Sequence, residues 1–366
     1  FGWRIFYVII GIATLPVFYK IAKYFLEEKY ALYATILLSF ETTFFVHTNL
    51  ALLEGPALFF ALISFQTYLK RKYVWTAFFL GISTLCKEWA PLFALTLILF
   101  HMWKHGNKIN ISKQNIKTIF LVSAVLLSTI AIPIWIYDIN YSPIKDGTVI
   151  AKDVVIVDTQ GNVLSTTTEY TTTGGQTIDN PIEHVLYVLD YSTNLNTDDT
   201  NGPEHYPWNW IIPGSFPTII YYANEVQETI IYVQDGYEVT ETNIKQPIRW
   251  SGARNPVIWY SIWIVVPFLI FNIIKKKNNS QENNLKEVFI LCWILSTFLP
   301  WIFASLVFSR IVYPFYFINT IPALILGLIL FIQHIFKEDS HPIIIGITSS
   351  AIAFFILHYP VNIFAL

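Results

Sequence analysis

Residues 73–103, YVWTAFFLGISTLCKEWAPLFALTLILFHMW, contain two apolar runs, 73 to 86 and 89 to 103, separated by a single charged break at Lys87-Glu88 before Trp89. A bilayer core demands about 20 apolar residues for a helical crossing, and each run is shorter than that. The stretch reads either as two short segments meeting at a charged hinge on a membrane face or as one kinked helix. Both readings put the charged break at a membrane boundary, because ionisable groups are costly in hydrocarbon.

Outward from this stretch the same texture continues. Apolar runs occupy 3 to 24, 30 to 47 and 49 to 69 before it, and 118 to 137, 257 to 274, 286 to 306, 310 to 335 and 342 to 360 after it. The 366 residues are 54% hydrophobic and 13% charged, and the mean hydropathy is +0.49. The expected fold is therefore an α-helical polytopic membrane protein with about nine to ten spans. The net charge of -2 gives no reason to expect nucleic acid as a partner. The lipid bilayer itself is the expected surrounding. Cys86 and Cys292 each lie inside an apolar run, which excludes a disulfide framework or a thiolate metal cluster. The chain opens at Phe1 on residues unlike a signal peptide, so it is read as a fragment or processed form with further sequence upstream.

Of the 23 Lys and Arg, most fall on one side when the spans are alternated, including Lys20, Lys70, Lys104, Lys275 and Lys337. The positive-inside rule makes that side cytoplasmic. Arg4, Lys87, Arg254 and Arg310 lie on the opposite edge of four different segments, where fixed positive charge suits an anion. Residues 138–256 form the one long hydrophilic segment, with 16 acidic against 5 basic residues, and are expected outside. Val154 to Val157 followed by a Thr-rich run to Thr173 reads as a hairpin, and Ile230 to Val233 turning into Tyr237 to Thr240 reads as a second. Pro181 to Tyr191 carries helical spacing. The expected organisation is an N-terminal transmembrane bundle at 1–137, an extracytoplasmic loop domain of mixed α/β character at 138–256, and a C-terminal transmembrane bundle at 257–366.

Chemistry-bearing residues concentrate near the outer edge. Glu41 and Glu54 flank His47, Thr48 and Asn49 at the rims of apolar runs. A carboxylate at such depth faces a cavity or a partner: an acceptor-binding, acid/base or cation site on one reading, a helix cap or an ion pair on the other. Lys87 is able to hold a phosphate as a point charge, or else snorkels or pairs with Glu88. In Glu204-His205-Tyr206-Pro207-Trp208-Asn209-Trp210, aromatic faces either stack on sugars or anchor the loop at the membrane interface. His184 and His205 lack metal-ligand spacing, and no metal site is expected. No phosphate-binding glycine loop or nucleophile elbow occurs, so energy for any reaction must arrive in an activated substrate. A lipid-linked donor fits that requirement.

Several segments together resemble the protein O-mannosyltransferases, phospholipid-carrier-dependent glycosyltransferases of family 39 in the GT-C superfamily. They are Phe1-Gly2-Trp3-Arg4, Phe40-Glu41 with Thr48 to Glu54, Gly81 to Trp89, Asn180 to His184, His205 to Trp210, Arg254 to Tyr260, and Arg310 to Tyr316 with Pro322. The chain departs from the family in carrying Asn49 and Glu54 where Arg and, five residues on, Asp are usual. The resemblance implies a GT-C type fold and an inverting transfer of a sugar, mannose in this family, from a polyprenyl-phosphate donor to Ser or Thr of a protein acceptor, outside the cytoplasm, with dimerisation as a family possibility. It also implies that the principal acidic pair lies upstream of Trp3. On this reading Glu54 and Glu41 are the carboxylates of the chain itself. Lys87 and Arg310, then Arg4 and Arg254, bind the donor phosphate, and His205, Trp208, Trp210, Asn255 and Tyr316 line the sugar and acceptor cleft. No cofactor is expected, with a divalent cation left open. The competing readings are a GT-C enzyme acting on a lipid or glycan acceptor, and a non-catalytic transporter of lipid or solute.

Overall fold

The computed structural model describes the chain except residues 1, 51, 106–112, 142–143, 146–147, 158–162, 174–175, 179, 194–201, 215–218, 235–236, 279–283, 359–361 and 364–366. The described part is mainly helical. The first half contains α1 (Gly2–Phe25), α2 (Glu28–Ser39), α3 (Thr42–Asn49), α4 (Glu54–Leu69), α5 (Tyr73–Cys86), α6 (Pro91–His105) and α7 (Lys113–Tyr141). The segment that follows carries β1 (Ile144–Lys145), β2 (Thr148–Val157), β3 (Val163–Thr173), β4 (Gln176–Thr177), α8 (Pro181–Thr193), α9 (Pro207–Trp210), β5 (Ile219–Gln234) and β6 (Tyr237–Gly252). The chain continues through α10 (Pro256–Trp259), α11 (Ile262–Asn278), α12 (Leu285–Phe308), α13 (Ile321–Phe336), α14 (Ser340–Leu357) and β7 (Asn362–Ile363).

The expected helical membrane architecture is present. Among the described residues five helical stretches are long and apolar enough to cross a bilayer: Arg4–Phe25, Lys117–Tyr141, Pro256–Lys275, Leu285–Phe308 and Ile321–Leu357. A sixth is added if α3 and α4, bent by 109°, are one broken span. The stretch Ile321–Leu357 holds both α13 and α14, and other apolar runs are cut into shorter helices, Tyr73–Cys86 and Pro91–Lys104 among them. The run 30 to 47 breaks between Ser39 and Thr42. At the charged break of 73–103, Lys87 is extended (φ -155, ψ 135) and ends α5. Pro91 then opens α6, with no amide hydrogen to lose at that position. Two separate helices result, not one kinked one.

The chain folds as two compact units, residues 1–126 with 196–366, and residues 127–195. In the first, α4, α6 and α12 meet around Phe65, whose ring lies 5.5 Å from Phe93, 5.4 Å from Phe289 and 4.8 Å from Trp293. Edge-to-face pairs of this kind add about 0.5–1.5 kcal/mol each beyond burial. Small residues allow close approach: Ser83 of α5 donates to the Ala57 carbonyl of α4 at 2.7 Å, and a methyl added at Gly327 would run into Val265. β5 and β6 pair antiparallel, with β7 beside β6 through Ile248↔Ile363 and Arg249↔Asn362. In the second unit, β2 and β3 form an antiparallel hairpin from Thr148↔Thr173 to Val157↔Val163. There the end of α7 and the start of α8 are joined by Asp138 and His184, 2.6 Å apart. The turn residues read at 158–162 and 235–236 lie outside the described residues.

Candidate active site

Glu54 is the first residue of α4, where the positive end of the helix favours a carboxylate. It is buried, only 4% exposed. Its Oε2 lies 3.4 Å from His47 Nδ1 and its Oε1 lies 3.3 Å from Lys87 Nζ. The 109° bend between α3 and α4 brings His47, in the last turn of α3, back beside the start of α4. The extended backbone of Lys87 then places its side chain on the same carboxylate. Lys87 therefore pairs with Glu54 and not with the neighbouring Glu88 that the sequence offered as a partner.

Segment 310–316 runs alongside this group. The His47 ring rests on Phe315, centroids 5.1 Å apart. Tyr316, 5% exposed, stacks on Trp301 at 4.4 Å and 21°. Burial raises the Tyr316 phenol pKa, and its ring, 4.8 Å from Phe315, continues the line of contacts from His47 to Trp301. Arg310 is aimed there by the end of α12. Ser309 adopts the left-handed conformation (φ 49) and its amide closes a six-residue return onto the Ala304 carbonyl, to which the Arg310 amide also donates at 3.2 Å, ending the helix. The guanidinium lies 5.8 Å from the Trp301 ring centre.

The remaining candidates occupy other positions. Glu41 is completely buried and caps α3: its Oε2 accepts from the Phe44 amide at 2.8 Å and its Oε1 from the Trp259 indole at 3.0 Å. Arg254 is buried, and burial lowers its pKa. Its guanidinium donates to the carbonyls of Asn209 (3.0 Å), Trp210 (2.9 Å) and Ile212 (3.4 Å), holding the end of α9. Asn255 caps α10 by accepting from the Val257 amide at 3.1 Å. Trp210 is wholly buried and donates to the Glu204 carbonyl at 2.7 Å, whereas Trp208 is half-buried against Tyr206. His205 approaches the site segment: its Nδ1 is 3.3 Å from the Val312 carbonyl and its ring 5.2 Å from Tyr313. Arg4 is half-buried in the first turn of α1.

The structure thus gathers Glu54, Lys87, Arg310, Tyr316 and, through Tyr313, His205 around one segment. Glu41, Arg254, Asn255 and Trp210 are used at helix ends nearby. Sequence reasoning passed over His47, Phe315 and Trp301. The signal for His47 was present, an ionisable group at the rim of an apolar run between two carboxylates, but Trp301 reads as one more bulky residue in a span. Among the described residues no three His, Cys, Asp or Glu side chains are grouped to hold a metal ion.

Comparison with known proteins bears on this arrangement. Residues 1–142 match the model of a family described as dolichyl-phosphate-mannose-protein mannosyltransferase. That stretch contains His47, Glu54 and Lys87. No curated protein matches the chain. The fold is similar to a solved structure of the S. cerevisiae protein O-mannosyltransferase Pmt1-Pmt2 complex bound to the sugar donor. The TM-score is 0.62 at 11% identity, covering 98% of this chain and 77% of that one. At that identity the likeness is one of fold.

Proposed function

We propose, from the match of residues 1–142 to the dolichyl-phosphate-mannose-protein mannosyltransferase family model, that the chain is a protein O-mannosyltransferase, moving mannose from a dolichyl-phosphate donor to Ser and Thr hydroxyls of proteins. The observation that carries this reading is the buried Glu54 held between His47 and Lys87, beside Arg310 and Tyr316. In such a transfer the acceptor oxygen attacks the anomeric carbon, the bond from that carbon to the phosphate oxygen breaks, and the lipid phosphate leaves as an anion. Cations fixed in a low-dielectric site stabilise the charge that develops on the leaving group. Lys87 and Arg310 serve that purpose here, with Arg4 contributing from the start of α1.

Glu54 keeps Lys87 in place and leaves the ammonium's remaining donors for the phosphate. The acceptor proton goes to a carboxylate base, as a transfer of this kind requires. Arg254 and Trp210 brace the segment carrying His205 and Trp208, which lines the acceptor side together with Tyr316, while Asn255 caps α10 behind it. The reaction runs on the extracytoplasmic face, since these residues lie on the edge opposite most of the cations. The partners are the lipid-linked sugar, a protein acceptor and, by analogy with the yeast complex, a second transferase subunit.

The direct test supplies radiolabelled dolichyl-phosphate mannose and a Ser/Thr-rich peptide to membranes containing the protein. Label should enter the peptide and be released by β-elimination. Label recovered only in lipid or free glycan would overturn the acceptor assignment, and none in any product would overturn the activity.

A further inference from the structure

Two hydrogen-bond donors at the outer end of α12 have no acceptor among the described residues. Trp301 is 5% exposed, and neither its indole N–H nor the Nε–H of Arg310 meets any partner. Leaving a buried donor unsatisfied is costly, and native structures keep few such groups. These two lie together, the guanidinium 5.8 Å from the Trp301 ring and Tyr316 stacked on that ring at 4.4 Å.

Both groups donate only; neither indole nor guanidinium has an acceptor atom. What completes them is an oxygen acceptor, and beside a guanidinium it is an anionic one. Glu54 is already engaged by His47 and Lys87. The Arg310 backbone is fixed by the left-handed Ser309 and by the bond to Ala304, so the donors are set in place before a ligand arrives.

We infer that Trp301 is a ligand-binding residue, its indole N–H and the Arg310 Nε–H together holding a non-bridging oxygen of the lipid-linked phosphate. This rests on the donor class argued above. It adds a neutral, directional donor to a site otherwise described by its cations, and it assigns Trp301 to the phosphate and not to the sugar.

The test uses the full chain in detergent or nanodiscs, titrated with dolichyl phosphate and separately with dolichyl-phosphate mannose. Trp301→Phe keeps the ring and removes the N–H. It should weaken binding of both lipids about tenfold, the equivalent of one lost hydrogen bond to a charged group, with the thermal midpoint unchanged. Wild-type binding of dolichyl phosphate by the folded Trp301→Phe protein would overturn the assignment, as would a loss confined to the mannosylated lipid. If Trp301→Phe fails to fold, Arg310→Lys decides: it keeps the charge and loses the Nε–H, so a similar loss supports the site and unchanged binding overturns it. A wild-type protein that binds neither lipid overturns the donor class itself, a result distinct from either variant's.

Discussion

At the residue scale, the Glu54 carboxylate anchors the proposed site because it is buried and has a cation on one side and an imidazole on the other. Removing one partner of a buried pair leaves the other charge stranded, whereas replacing both with shape-matched neutral groups is far less costly. Lys87→Ala is therefore expected to lower stability by about 1–3 kcal/mol, tempered by the partial exposure of the lysine. Combining Lys87→Met with Glu54→Gln should restore most of that stability without restoring transfer. Thermal unfolding in detergent and mannosyl transfer, measured on the same preparations, check both halves of this expectation. Transfer by the double variant at the wild-type rate would show that Lys87 has no part in catalysis. The burial cost made Glu54 and Lys87 legible in the sequence, since both stand at the rims of apolar runs. Their pairing was not legible, because it depends on the bend between α3 and α4. Trp301 was hidden for a related reason: an aromatic side chain inside a span looks the same whether its N–H is used or not.

At the element scale, helix ends carry most of the positioning. Ser309 is a left-handed residue without the freedom of glycine, and it directs Arg310 back toward Trp301. Ser309→Gly should leave donor affinity unchanged and stabilise the chain by a few tenths of a kcal/mol to about 1 kcal/mol. Ser309→Val should lower the thermal midpoint and weaken donor binding together, because a β-branched residue resists positive φ. Arg254 performs a comparable task at α9 with three carbonyls. Arg254→Lys cannot span all three, so limited proteolysis should cut within 207–214 faster than in the wild type, at a cost of about 1.5–3 kcal/mol for each lost charged bond. The apolar runs revealed which helices exist; the breaks within them were marked only by charges and prolines. Phe40-Glu41 shows the difficulty, since one polar residue in a run reads as a buried functional carboxylate as readily as a cap. In the structure Glu41 is a cap, accepting from Phe44.

At the scale of the whole molecule, the placement of charge across the membrane is the testable property. A cysteine at Ser165, in β3, should react with an impermeant thiol reagent applied from outside, and one at Ser280 only after permeabilisation, in a background with Cys86 and Cys292 replaced. The reverse pattern would put the His47, Glu54 and Lys87 group on the cytoplasmic side and remove the basis for extracytoplasmic transfer. The architecture was legible to the extent that hydropathy governs it. Apolar texture alone does not show where a run is cut, and α5, 14 residues long, ends at a charge within one. The bond from Trp259 to Glu41 also sets a timetable for synthesis. The two residues are separated by 218 positions, so at ~5–20 residues per second the indole emerges on the order of 10–40 s after the carboxylate it will cap. Throughout that interval the α3 end of the bundle lacks its lock, and a ribosome stalled before Trp259 should yield a chain in which α3 is open to protease while α1 is already protected. Biogenesis of the active site is thus paced from the far side of the long hydrophilic segment.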